Sequence, residues 1–505
     1  MRNQIKSNKT MQDVSDIYAL VQHHGIELPI AENSLSAQLL QGAEQQRWKT
    51  DEEARDALYG TSTQGSKFKT LRSRVLDMLL RAVLQIQVRG DAPSEYLKAY
   101  IKCLRNTTAT LMLSRLGAKE AAIAVSDNLL RATERYEFSE LTMQLLQLRR
   151  DCYALWNMER EFEQTHQRMV HAANVAAAER EAEYLLDHLR LRATVENSTA
   201  SPLQHIYRRT LERVSELYGL YGTNVLRLHL ARAQVLFYEQ CNNFEAVQGA
   251  CMDVIEHIQQ YPHRNTKARK AEFLIRCIAS QVFRRMELSA ELLDECRSLM
   301  RAGSFNWYAL RGLECASLLF HAKYTAALRV YQECTSRSDF ASLAMAARER
   351  WTLIRAYLVL VWEHGLLPEG ANVAQGFRLS TFRNSMDWET KDKQGSNALI
   401  VIFECVYLTL RGSREEAERR IEYLNVYASR YLREPTHARL RMLVKYLHSS
   451  LRMWDDVGRM EGYYEEMREK ISTTPPLPMP GEINEVLRYE VLMEIVMHRL
   501  RRGIA

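Results

Sequence analysis

Small and apolar residues recur along this chain in a faint, fixed grouping: a helix-ending turn, then aromatic-x2-small-x3-apolar-x2-small. The clearest copy is Tyr324, Ala327, Tyr331 and Cys334, inside LLFHAKYTAALRVYQEC. Others read Phe162/Thr165/Met169/Ala172, Phe244/Val247/Cys251/Val254, Met286/Ser289/Leu293/Cys296, Arg414/Ala417/Ile421/Leu424 and Trp454/Val457/Glu461/Tyr464. Their first residues are 82, 42, 38, 90 and 40 positions apart, and the two long gaps are close to twice the short ones, as though one copy had faded in each. Residues three, seven and ten apart share a helix face. The aromatic is therefore expected to open the second helix of a hairpin, with the small residues admitting the first. A period near forty residues is that of stacked helical hairpins, each covering its neighbour's apolar face. The pattern predicts an all-α chain, a superhelical stack of degenerate hairpins or α-solenoid.

Residues 1–66 read as a polar helical lead-in ending in the turn-rich GTSTQGS. From Lys67 onward, Phe68, Leu71, Val75, Leu79, Val83 and Ile86 fall on one face, which predicts an amphipathic helix capping a stack that runs over 67–471. Within it, 365–395 holds Pro368, several glycines and mixed charge without helical periodicity. An insertion of this length in a repeat array is more often functional than connective. The run ALIVIFECVYLTL from Ala398 is too short for a membrane span and is interrupted by Glu404, so it reads as a fully buried helix. A Pro-rich linker is expected over 472–482 and a last amphipathic helix over 483–505.

Twenty Gly and ten Pro are only about 6% of the 505 residues, which suits helices joined by short turns. No segment is long and apolar enough for membrane insertion, and the N-terminus MRNQIKSNKTMQDVSDIYALV lacks the apolar stretch of a signal peptide, so a cytoplasmic location is expected. Of nine cysteines, Cys277, Cys296, Cys315 and Cys334 lie 19 residues apart. That spacing is close to one helix and its turn, and there is no CxxC pair or neighbouring His at ligand spacing. Small buried residues are the stronger reading, and neither a metal nor a cofactor is expected. The sequence contains no GxxxxGK[ST] loop, GxGxxG turn, GxSxG elbow or HExxH pair. An enzyme is not expected.

The copy at Tyr324 resembles the tetratricopeptide repeat, whose motif has an aromatic-x2-Ala-x3-aromatic stretch after the turn between its helices. Arg414 and Glu461 depart from that pattern, and the period exceeds the family's 34 residues. A second resemblance is carried by FRLSTFRNSMDWETKDKQGSNALIVIFECVYL, by NVYASRYLREPTHARLRMLVKYL and by DALYGTSTQGSKFKTLRSRVLDMLL near the N-terminus. These blocks, roughly a fifth of the chain, resemble large uncharacterised bacterial helical-repeat proteins; the likeness implies a fold and no activity. It directs attention to Lys391, Asp392, Lys393, Arg430, Tyr431 and Arg433, a cationic set with an aromatic interposed. Lys391, Lys393, Arg430, Tyr431 and Arg433 suit a carboxylate, a phosphate or an acidic peptide. The alternative is a solvated, salt-bridged face.

The net charge of +6 is unevenly placed. Lys67 to Arg105 carries nine Lys or Arg against three Asp or Glu, and Arg264 to Arg285 carries seven against one. Such runs can grip nucleic acid, an acidic partner or anionic lipid, although exposed arginines also serve solubility. The expected function is a non-catalytic scaffold or regulator that holds a protein or peptide partner, an acidic one favoured, in a solenoid groove. A basic solenoid that binds nucleic acid as a regulator is the alternative. Its binding would weaken steeply with salt.

Overall fold

A computed structural model describes residues 11–60, 65–88, 94–195, 200–386, 396–431, 437–475 and 485–502. The described residues form 22 α-helices and no β-strand. The chain divides into two compact units, Met1–Thr133 with Gln147–Phe162, and Glu134–Leu146 with Glu163–Ala505.

The first unit opens with α1 (Gln12–His23), α2 (Leu35–Glu44), α3 (Asp51–Tyr59), α4 (Gly65–Gln85) and α5 (Glu95–Arg115). The stretch expected as a polar lead-in is here three helices that share a core with α4: Val14, Val21, Leu39, Leu40 and Ala54 pack with Phe68, Leu71, Val75 and Leu79. The three are 12, 10 and 9 residues long, too short for a hydrophobic period to show in sequence. Helices α2 and α3 start on side-chain caps. Ser34 accepts from Ala37 N–H and Thr50 from Glu53 N–H, both at 3.2 Å. Gly42 lets Trp48 lie directly on α2, since a Cβ there would come within 2.1 Å of the indole.

Next come α6 (Lys119–Arg135), α7 (Ser139–Leu155) and α8 (Glu159–Val195), followed by α9 (Ala200–Tyr221), α10 (Asn224–Gln240), α11 (Phe244–Gln260), α12 (Lys267–Phe283), α13 (Ala290–Ser298), α14 (Phe305–Phe320) and α15 (Tyr324–Thr335). The repeat has a simple metric. Helices α6, α7, α10, α11 and α12 are each 17 residues long, about 25 Å. Three residues separate α6 from α7, α7 from α8, α10 from α11 and α14 from α15. The middle residue of each turn is left-handed: Glu137, Asn157, Asn242 and Ala322 have φ of 57°, 51°, 53° and 59°. The N–H groups of the second and third turn residues then bond back into the last turn of the helix, as Asn242 does to Glu239 O (3.1 Å) and Asn243 to Tyr238 O (2.9 Å). Left-handed backbone costs a non-glycine residue roughly 1 kcal/mol, and these paired bonds offset it.

The expected repeat residues land on the second helix of the hairpin at α11 and α15, whereas Met286 and Ser289 precede α13, Trp454 precedes α21 and Glu461 is exposed. Phe244, Val247, Cys251 and Val254 are buried on α11, and Tyr324, Ala327 and Cys334 on α15. Phe138, Leu141, Leu145 and Leu148 are buried in the same register along α7, with Leu141 and Leu148 where the pattern asks for small residues.

Both long gaps have a structural explanation. The 37 residues of α8 match two 17-residue helices and the three residues between them. Ala176, Ala177 and Ala178 stand where that turn would fall, and alanine is the strongest helix former. The helix runs on, and α9 takes the place of the faded copy. In the second gap α16 (Met345–Glu363) is followed not by a full helix but by a 3-10 turn, Glu369–Ala371, and the seven-residue α17 (Leu379–Ser385).

The chain ends with α18 (Ser396–Leu410), α19 (Arg414–Tyr431), α20 (Ala438–Arg452), α21 (Val457–Thr473) and α22 (Tyr489–Arg502). From α9 onward, helices pack against their chain neighbours, and α12, α14, α16 and α18 also pack in series, which makes the second unit a stack. Helix α18 is buried throughout its described side chains before Leu410, Glu404 included.

The last helix is amphipathic as expected, exposing Glu494, Arg501 and Arg502, and its apolar side is part of the core. It lies against α18, α20 and α21 and buries Tyr489, Leu492, Met493, Ile495, Val496, Met497 and Leu500. At roughly 1.5–3 kcal/mol for each large apolar side chain, detaching it would cost about as much as the whole net stability of a domain, about 5–15 kcal/mol. Helix α22 is core. Arg439 locks it down, donating to Glu485 (2.8 Å), to Glu490 (3.1 Å) and to the carbonyls of Ile471 and Thr474.

Candidate partner-binding surface

The insertion after α16 has two parts, and only 365–386 is among the described residues. That part is built into the core. Leu367, Val373 and Phe382 are buried, and Phe382 and Phe377 pack on Phe403 of α18 at ring distances of 4.8 and 5.8 Å. Arg355 of α16 reaches across, donating to Val373 O (3.3 Å) and Gln375 O (2.7 Å), with its guanidinium over the Phe377 ring. Arg383 of α17 donates to Glu404 (2.7 Å) and Glu416 (3.0 Å), while Arg420 pairs with the second Glu404 oxygen at 3.1 Å. A carboxylate as buried as Glu404 is tolerated only with such partners. The interruption seen in ALIVIFECVYLTL is the post to which the insertion is tied.

Among the expected site residues, Lys391, Lys393 and Arg433 lie outside the described residues, as does Asp392. Arg430 and Tyr431 are the last two residues of α19. This helix buries Ala417, Ile421, Leu424 and Ala428 and turns Arg419, Tyr423 and Val426 outward. Tyr423 is 52% exposed and Val426 49%. Positions 419, 423 and 426 succeed one another at four and three residues, one helix face, and position 430 is four further on. Sequence reading missed Tyr423 and Val426; their spacing from Arg430 was the available signal.

The two basic stretches differ. In the second, Arg264 donates to Glu137 and to Arg135 O, Arg269 to Arg264 O, Arg276 to Glu239 (2.7 Å) and Arg284 to Gln248 (2.9 Å). Lys270 pairs with Glu295. Arg285 donates to Glu485 O at 3.1 Å with its guanidinium 4.7 Å from the Phe320 ring. In the first stretch Arg72 is held by Asp13 and Asp51, and Arg105 by Leu84 O and Ile86 O. Lys67, Lys69, Arg74, Arg81 and Lys102 are exposed, and none of them is paired with a carboxylate among the described residues.

The densest polar cluster of the second unit is a joint between helix ends. Asn224 and Asn265 exchange side-chain bonds at 3.0 and 3.2 Å, His257 Nε2 meets Asn224 Oδ1 at 3.1 Å, and the Glu137 carboxylate accepts from Asn224 N–H at 2.7 Å. Thr223 caps α10 and donates to Glu179 at 2.8 Å. Burial raises the Glu179 carboxyl above its usual range. Each member is engaged by another helix end, which makes the cluster a structural stitch. The evenly spaced cysteines are buried, and burial pushes their thiols up, Cys296 to about 12 and Cys334 to about 11, so they are not poised as thiolates.

Comparison with protein-family models, with curated proteins and with solved structures finds no match to this chain.

Proposed function

We propose that this chain is a non-catalytic scaffold or regulator that holds a protein segment against its stack of tetratricopeptide-like hairpins. It acts in the cytoplasm, a reading that accords with its unpaired cysteines. The observation that carries the proposal is the outer face of α19, where Tyr423 and Val426 are half exposed beside Arg419 on a helix whose opposite face is fully buried. An exposed aromatic and a β-branched residue next to an arginine are what partner surfaces are made of. Lys391, Lys393, Arg430, Tyr431 and Arg433 are kept, on the sequence alone, as the residues suited to an acidic group of the partner.

The experiment is a pull-down from native extract treated with nuclease. Replacing Tyr423 and Val426 with Ser, or Arg430 and Arg433 with Ala, is expected to cut partner recovery severalfold while the melting temperature hardly moves, because exposed ion pairs contribute about 0–1 kcal/mol each. Lowered stability with unaltered recovery would return these residues to the scaffold.

The exposed cations of 67–105 favour a second reading, a basic stack that binds nucleic acid. Recovery that depends on nucleic acid and falls steeply with salt would select it.

A further inference from the structure

Helix α8 has an apolar row on each of two opposite sides. Ala172, Val175, Ala182, Leu186 and Leu189 are buried, and a helix with one buried side is expected to be polar on the other. Here the other side holds Val170, Ala173, Ala177, Tyr184, His188 and Leu191, within an arc of about 60° at 100° per residue. Val170, Tyr184 and Leu191 are 41%, 65% and 67% exposed, Ala177 is exposed, and Ala173 and His188 are half-buried. The row is about 32 Å long. Only the fused length of α8, 37 residues against the usual 17, makes room for it.

The order of the row selects what can cover it. Its steps are 3, 4, 7, 4 and 3 residues, the same from either end. Val170, Ala173 and Ala177 in the N-terminal half are the smaller side chains, and Tyr184, His188 and Leu191 in the C-terminal half are the larger. A second α8 laid antiparallel about a twofold axis between positions 180 and 181 sets Val170 against Leu191, Ala173 against His188 and Ala177 against Tyr184, so that large meets small at every contact. A parallel copy would set Tyr184 on Tyr184 and Ala177 on Ala177, a clash and a gap. At the axis Arg180 faces the partner's Glu181, and by symmetry this happens twice. Further out Asn174 faces the partner's Asp187, and no carboxylate faces another. Arg180 and Glu181 are braced from within their own chain, by Glu140 and Arg213 at 2.6 Å each, and their side chains remain 60% and 41% exposed.

We infer that this face of α8 docks antiparallel on the same face of a second copy of the chain, giving a homodimer. One pair of helices of this length is a small interface, so the association is weak and depends on concentration. It uses no residue of α19.

Sedimentation velocity of the full chain, from low to high micromolar protein, is expected to show monomer giving way to dimer. Tyr184→Asp with Leu191→Asp should weaken the association about tenfold or more, equivalent to about 1.4 kcal/mol. The melting temperature should not move, because both side chains are exposed. The twofold axis is tested by charge. Arg180→Glu sets Glu against Glu twice across the axis, and Glu181→Arg sets Arg against Arg twice, so each variant alone should dimerise about tenfold more weakly or worse. Mixed together they should associate nearly as well as the wild type, because a dimer with one copy of each holds two opposite pairs. A monomer at every concentration, charge variants that associate as the wild type does, or a mixture no better than its parts overturns the inference. So does unchanged association in the Tyr184 and Leu191 variant, which would place the dimer contact elsewhere.

Discussion

Residues 67–105 and 264–285 each carry an excess of six positive charges, and from composition alone they are equivalent. Folding separates them. The second stretch lies among hairpin turns and on α12, where other helices deliver carboxylates: Arg264 meets Glu137, Lys270 meets Glu295, and Arg276 meets Glu239 37 residues back. The first stretch lies on α4 and α5, whose neighbours bring carboxylates to Arg72 but to none of Lys67, Lys69, Arg74, Arg81 and Lys102 among the described residues. A run of like charge is therefore not yet a binding surface. What decides is the partner that the fold sets opposite it.

Arg285 sharpens the contrast most. Arg285→Ala removes a charged hydrogen bond to Glu485 O and the stacking on Phe320, with an expected loss of about 2–4 kcal/mol. Urea unfolding of the full chain measures it, and an unchanged midpoint would mean that the second stretch is as dispensable as the first.

A somewhat smaller effect is expected from His229, which sits near Arg269 of the second stretch. Burial, then the charges of Arg232 and Arg269, lower its pKa from 6.5 to about 4. The folded chain therefore keeps it neutral where the unfolded chain takes up a proton. Its contribution is intact above pH 6.5 and lost as pH falls toward 4, about 2–3 kcal/mol by pH 4.5. Comparing wild type with His229→Gln between pH 7 and 4.5 isolates this term, since the other titrations are common to both. Parallel pH dependences would show that neither burial nor the local cations shift this histidine.

The smallest effect belongs to the first stretch. Changing Lys69, Arg81 and Lys102 together to Gln should alter stability by less than about 0.5 kcal/mol per site. Scanning calorimetry checks it. A fall comparable to that of Arg285→Ala would erase the comparison.

Much of the fold was legible because the repeat residues act through burial. Phe244, Val247, Cys251 and Val254 announced α11, and Tyr324, Ala327 and Cys334 announced α15, since positions three, seven and ten apart must share an inner face. The even spacing of Cys277, Cys296, Cys315 and Cys334 likewise reported buried contacts, each at 0% exposure. Other features left no local trace. The fusion inside α8 depends on three alanines in place of a turn, which reads as ordinary helix. Helices α1 to α3 are too short to show a period. The candidate surfaces were least legible. Tyr423 and Val426 are outward, and Leu97 and Leu104 look in sequence like any core leucine although the structure leaves them 41% and 42% exposed. Lys391, Lys393 and Arg433 fall outside the described residues and remain the sequence's own proposal.

The three-residue turn also governs how such a chain can change over generations. Its geometry is held by backbone bonds, so its middle position accepts Glu, Asn or Ala, and Gly at Gly117 between α5 and α6 and at Gly412 between α18 and α19, and a substitution there costs only roughly 1 kcal/mol. Adding one residue is another matter. It rotates everything downstream by about 100° about the helix axis and carries a buried stripe toward water. Spelling can drift freely while length is held fixed. Kinship among such chains would then persist as a rhythm of helix and turn long after the letters had ceased to resemble one another.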